Sequence, residues 1–229
     1  MENNLKNTTA RPAWMQRVLY YQQQGRKQQA LDYCKTYLQN NPEDEAAWCW
    51  FCLECLKVNQ WQTAEHYITQ ALKYHCDSGE LLYYAGVIHA QRSNYVSSIN
   101  YFQRALNQGC QRIELYYNFA LSLRQLQRWH EAIALIKQAV QLYNKEPKLI
   151  TFLAETYAAA GELEAGLSAL RQFMQGSGET FELLFTQGNL LQQTNQFKQA
   201  IQAYNRAKRF GQPAILWNNL GLCYQALQD

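Results

Sequence analysis

Apolar residues recur along this chain in two alternating stripes, each with steps of four and three residues. Set position 1 of a repeating unit at Arg11, Glu45, Gly79, Ile113, Pro147 and Phe181, with a further start at Ala214. The first stripe occupies positions 4, 8 and 11: Trp14, Val18, Tyr21; Trp48, Cys52, Cys55; Leu82, Gly86, His89; Tyr116, Ala120, Leu123; Ile150, Ala154, Tyr157; Leu184, Gly188, Leu191; and Trp217, Gly221, Tyr224. The second occupies positions 20, 24 and 27, with Ala64, Ile68 and Ala71 or Ser98, Phe102 and Ala105 as examples. Residues three and four apart lie on one face of a helix, so each stripe predicts one helix and each unit predicts a pair.

Bulky residues at 4, 11 and 24 supply apolar burial, and small residues at 8 and 20 let the two backbones approach. Between the stripes stand Gln24-Gly25-Arg26, Asn59-Gln60, Ser93-Asn94, Gly161-Glu162 and Thr194-Asn195-Gln196. Gly and Asn accept the left-handed backbone that ends a helix. Pro42 lies between units, where a helix must stop. Each full start follows the previous one by 34 residues (45 less 11, 79 less 45), and a fixed period of this length marks a stacked-repeat architecture.

With Trp217-x2-Leu220-Gly221-x2-Tyr224 and Ser98-x3-Phe102-x2-Ala105, the pattern resembles the tetratricopeptide repeat family. Trp48, Ala64, Ala71 and Pro42 fit it too, and the likeness covers residues 11–229. The resemblance implies an all-α fold, a right-handed superhelix of stacked antiparallel helix pairs. It has six full repeats plus the first helix of a seventh. Cys52 and Val18 at position 8, Gly166 at 20, and Phe173 and Tyr37 at 27 depart from the family pattern and are read as local repacking. The array is expected to be continuous, preceded by a disordered tail over residues 1–10.

In this family the first helix of each repeat lines the concave face. The resemblance therefore implies a groove for a peptide or partner segment carrying Trp50, Lys57, Tyr83, Tyr84, Tyr117, Asn118, Arg124, Lys148, Phe152, Glu155, Phe185 and Asn189. Aromatic residues off the packing stripe suit recognition, because they give contact area at small entropic cost. Tyr83 and Tyr117 share position 5 of consecutive repeats and are expected to form the groove's centre. Two specialised family grooves fit poorly. Of the clamp for a charged C-terminal tail, only Asn118 and Lys148 are in place. Of an asparagine ladder at position 6, only Asn118 and Asn219 are.

Charge and chemistry alter this little. The formal charge of +3 predicts no nucleic-acid binding, and the densest basic spot, Lys208-Arg209 near Arg206, suits a helix end. Seven cysteines follow no disulfide spacing. Cys49, Cys52 and Cys55 are spaced like metal ligands, but two of them hold stripe positions and read as core. The pair His75-Cys76 lacks a third orienting group, and no phosphate loop or nucleophile elbow is evident. The expectation is a non-catalytic, cytoplasmic scaffold with no cofactor or metal, no nucleic-acid partner and no membrane segment. Asp229 falls where the second helix of repeat seven is due. Trp217, Leu220 and Tyr224 are therefore expected to meet a further domain or a second copy. The alternative is that the chain is the N-terminal recognition arm of a longer glycosyltransferase- or sulfotransferase-type enzyme.

Overall fold

Regular 34-residue spacing becomes regular structure. The structure is a computed structural model that describes residues 11–75, 77–144 and 146–228, so the expected tail over residues 1–10 and the Cys76 half of the His75-Cys76 pair lie outside it. The first helices are α1 (Ala13–Gln23), α3 (Glu45–Lys57), α5 (Gly79–Gln91), α7 (Ile113–Gln125), α9 (Pro147–Ala159), α11 (Phe181–Gln193) and α13 (Ala214–Gln225). The second helices are α2 (Lys27–Asn40), α4 (Trp61–Tyr74), α6 (Tyr95–Asn107), α8 (Trp129–Leu142), α10 (Leu163–Ser177) and α12 (Phe197–Ala207). Among the described residues there is no strand.

Two compact units divide at a repeat joint, one ending at Gln111 and the other beginning at Arg112. In the first, α3 packs on α2 and α4 and also on the next first helix, α5. In the second, α9 likewise packs on α8, α10 and α11, and α13 closes on α11 and α12. Each unit is therefore a stack of hairpins with one layer of first helices and one of second helices.

All six hairpin turns are built alike. Position 15 has positive φ in every repeat: Gly25, Asn59, Ser93, Gln127, Gly161 and Asn195, at 58–85°. The position-16 amide donates to the position-11 carbonyl at 2.8–3.0 Å, and the position-15 amide donates to the position-12 carbonyl at 2.9–3.2 Å. These two bonds are the Schellman arrangement, which satisfies carbonyls that a helix end leaves open. Ser93 and Gln127 hold this backbone against the preference of an L side chain. Ser93→Gly and Gln127→Gly should each raise the unfolding free energy by about 0.5–1 kcal/mol. Urea unfolding checks this, with Asn59→Gly as the near-neutral control, since Asn tolerates the conformation.

First helices begin through position 34. Asp44, Ser78 and Thr180 side chains accept the amides of Ala47, Leu81 and Leu183 at 3.0, 3.1 and 3.4 Å. The Asp44 carboxylate also accepts the Tyr37 hydroxyl at 2.9 Å. Tyr37, one of the oversized residues at position 27, therefore has a polar partner for its tip.

Positions 8 and 24 are sized reciprocally. The pairs run Val18 with Cys34, Cys52 with Ile68, Gly86 with Phe102, Ala120 with Ile136, Ala154 with Leu170, and Gly188 with Tyr204. Where position 8 is glycine, position 24 is aromatic, and the ring fills the missing side chain's place. A Cβ on Gly86 would lie 2.4 Å from Phe102, and one on Gly188 would lie 2.3 Å from Tyr204. Gly166 at position 20 has a similar cause: its Cβ would lie 2.9 Å from the Ala154 carbonyl oxygen, so α10 sits close on α9. At position 8 the departures Val18 and Cys52 are thus matched by the position-24 residues of their own hairpins, and Gly166 makes room for α9 and for Leu190 of α11.

Cys34, Cys52 and Cys55 are fully buried in the first unit's core. Burial pushes the Cys34 and Cys55 thiols up to about 12, and raises Cys52 as well. They behave as small apolar core residues, in line with their stripe positions.

Candidate functional site

The groove residues separate by unit. In the first unit, Tyr83 and Tyr84 on α5 are buried, 7% and 6% exposed. Their rings lie 5.3 Å apart, and Tyr83 also packs 6.1 Å from Phe102. Little of either ring is therefore open to a ligand in this structure. Trp50 is half-buried with its ring edge-on to Trp14 at 6.3 Å. Lys57 is exposed and donates to Glu54 at 2.6 Å.

Residues of the second unit form a connected row across its first helices. Tyr117 on α7 stacks on Phe152 of α9, with centroids 4.7 Å apart and planes 27° apart. The Arg124 guanidinium lies 5.1 Å from the Phe152 centroid and donates to the Thr156 hydroxyl at 3.4 Å. Phe152 is itself buried and acts as the floor of this cluster, while Tyr117, Asn118 and Arg124 are half-buried and Lys148 and Glu155 exposed. Repeat spacing explains the grouping, because the same helix face recurs on adjacent parallel helices.

Farther along, a depression between α9 and α11 is lined by Glu155, Ala158, Ala159, Thr186, Asn189, Leu190 and Gln193. Asn189 then joins α11 to α13. Its side-chain oxygen accepts the Asn219 amide at 2.9 Å and the Tyr204 hydroxyl at 2.8 Å, and that hydroxyl also reaches the Gln192 side-chain oxygen at 3.0 Å. Phe185 lies beside this network, its ring 5.5 Å from Phe181 and 5.7 Å from Tyr204. Thr156, Gln192 and the Tyr204 hydroxyl were not singled out in the sequence. The one signal for the last was a phenol at position 24, where most repeats carry an apolar side chain.

Electrostatics keep the row mixed in sign. Loss of water raises the Tyr117 phenol to about 12, helped by the carboxylates of Glu146 and Glu155, so it remains a neutral donor. Glu155 keeps accessible surface, yet the depression's walls strip water from its carboxylate and raise its pKa, while Arg124 pulls the other way. Desolvation likewise raises Tyr204 to about 12. The row offers stacked rings, one guanidinium, one carboxylate and several amides. Groups of these kinds have the chemistry to contact and orient a polypeptide.

Other candidates resolve singly. Arg206 pairs with Glu179, and Lys208 lies 4.3 Å over the Trp217 ring, so two of the three cations near α12 are engaged within the unit. Trp217 and Tyr224 on α13 are exposed, whereas Leu220, expected beside them, is buried in the core. Among the described residues no group of three or more His, Cys, Asp or Glu side chains could hold a metal ion, and no helix is long and apolar enough to cross a membrane.

Sequence comparison places tetratricopeptide repeats at residues 12–44, 56–111, 113–146 and 181–209. No curated protein sequence matches the chain. Among solved structures it is similar to PilW, a widely conserved type IV pilus biogenesis factor, with 18% identity and a TM-score of 0.69 over 86% of this chain and 91% of that one. It is similar also to pilF of Pseudomonas aeruginosa, with 17% identity and a TM-score of 0.68 over 92% of this chain and 96% of that one. A third is YrrB, described as a TPR protein with an unusual peptide-binding site, with 18% identity and a TM-score of 0.64 over 86% of this chain and 98% of that one. At these identities the likeness is one of fold.

Proposed function

Because this chain belongs to the tetratricopeptide repeat family, a class of scaffolds for protein–protein interaction, we propose that it binds a peptide segment of a partner protein on the first-helix face of its second unit. The observation that carries this reading is the connected row from Tyr117 and Arg124 through Phe152 and Glu155 to Asn189 and Asn219. It joins four consecutive first helices, so its contacts run from one hairpin to the next. A row of that kind suits an extended or helical segment laid across the helices. Rings supply contact area, and the amides and charges fix direction and register.

The peptide-binding site described for YrrB, a protein of the same fold, supports this class of ligand. Mixed charge along the row favours a segment that carries both an acidic group for Arg124 and a basic group for Glu155. This differs from an acidic tail gripped by a purely cationic clamp.

Peptides selected from a random display library against the whole chain test the proposal. The Tyr117→Ala, Glu155→Ala double variant should keep its far-ultraviolet circular dichroism and lose at least about tenfold in affinity, a loss of the size expected for two central contacts. Selected peptides that bind wild type and double variant equally would remove the first-helix face from consideration.

A further inference from the structure

Position 23, on the second helices, carries Tyr33, Tyr67, Tyr101, Leu135, Ala169 and Ala203. In the first unit, Tyr67 of α4 closes over the groove beside α2. Its ring meets Phe51 edge-on at 4.9 Å and lies 6.4 Å from Trp48. The Lys35 ammonium of α2 sits 5.7 Å from the same ring, and its hydrogen bond with the phenol raises its pKa. The groove that remains there has a volume of about 390 Å³.

In the second unit the equivalent groove lies between α8 and α10, over α9. Position 23 is Ala169, flanked by Ala165 and Ser168, over a floor of Ile150, Leu153 and Tyr157; Phe173, at position 27 where the repeat of Tyr67 has Ala71, lines the far end, and the volume is still about 620 Å³. A small residue at position 23 does not by itself leave a gap, because Ala203 in the following repeat is only 3% exposed. Lys137 occupies the repeat position of Lys35. With no ring at position 23 beside it, its ammonium lies 5.4 Å over Tyr157 instead.

We propose that the α8–α10 groove is a docking site for a tyrosine side chain of a partner polypeptide, seated where Tyr67 sits in the first unit, with Lys137 against its ring and phenol. The first unit shows a ring placed at this repeat position beside the same lysine, and the cation is complementary both to an aromatic face and to a phenol oxygen. Gln141, Gln172 and Ser168 at the rim offer hydrogen bonds to the backbone on either side of the guest ring. The site uses the second-helix layer, so it stands or falls separately from the first-helix row.

The test is a nuclear magnetic resonance titration of the whole chain with N-acetyltyrosinamide, using N-acetylalaninamide as control. The tyrosine probe should shift the amides of Lys137, Val140, Ser168 and Ala169, saturating on the order of 1 mM, the range for a ligand of that size. The alanine probe should leave them in place. Ala169→Tyr should abolish the shifts by filling the groove from within. Ala169→Leu, which copies the chain's own Leu135, should do the same if the tyrosine variant folds poorly. Lys137→Ala should weaken binding several-fold. No saturating shift with the tyrosine probe overturns the proposal. So do equal shifts with the alanine probe, wild-type binding by folded Ala169→Tyr or Ala169→Leu, or wild-type binding by Lys137→Ala.

Discussion

Replacing Trp48 with alanine lowers the unfolding free energy by about 3–5 kcal/mol, while the same replacement at Trp217 costs no more than about 1 kcal/mol. Both tryptophans hold position 4 of their repeats, so repeat position alone predicts equal effects. Their surroundings differ. Trp48 is 3% exposed, lies 6.4 Å from the Tyr67 ring and donates from its indole nitrogen to the Pro42 carbonyl at 2.8 Å. Removing it leaves a cavity in the first unit and a carbonyl short of a partner. Trp217 is 48% exposed, and its principal polar neighbour is the Lys208 ammonium over its ring. Urea unfolding followed by circular dichroism measures both. Equal losses at the two sites would mean that the hairpin stacks do not bury position 4 as described.

Gly188→Ala is expected to destabilise the chain by about 1–3 kcal/mol, against the usual gain of about 1 kcal/mol for glycine to alanine inside a helix. The sign follows from Tyr204. Its ring lies where the new methyl group must go, it is fully buried, and its hydroxyl is tied to Asn189 and Gln192. It therefore cannot swing aside. Tyr204→Leu alone leaves a cavity and removes one of the two donors to Asn189, at a similar or larger cost. Combining the two recreates the Ala154 with Leu170 pairing that the chain already uses one repeat earlier. The double variant should lose less than the sum of the singles, with a coupling of about 1–2 kcal/mol. Strict additivity would show that positions 8 and 24 are not sized to each other.

Much of the fold is written in the sequence because it depends on period. Six of the seven first helices begin at the residue chosen as position 1 from the stripes alone, from Glu45 through Phe181 and again at Ala214. A turn at position 15 follows from that register, even at Gln127, whose side chain gives no hint of a left-handed backbone. The site was less legible. Periodicity tells which side of a helix a residue faces, but not how far its neighbours cover it. Tyr83 and Tyr84 are long enough to pack on each other, and Tyr83 on Phe102, and both are buried. The link from Asn189 to Tyr204 and Asn219 depends on where three side-chain tips meet, across sequence separations of 15 and 30 residues. The groove over Ala169 is an absence of bulk that becomes visible only against Tyr67 in another repeat.

The most direct test of the account follows the side-chain amide signals of Asn118, Asn189 and Asn219 while a display-selected peptide is titrated into the chain. All three belong to first helices of the second unit, and binding on that face should move them together and saturably. Shifts confined to Gln141 and Gln172 on the second helices, with the three asparagines unmoved, would contradict it.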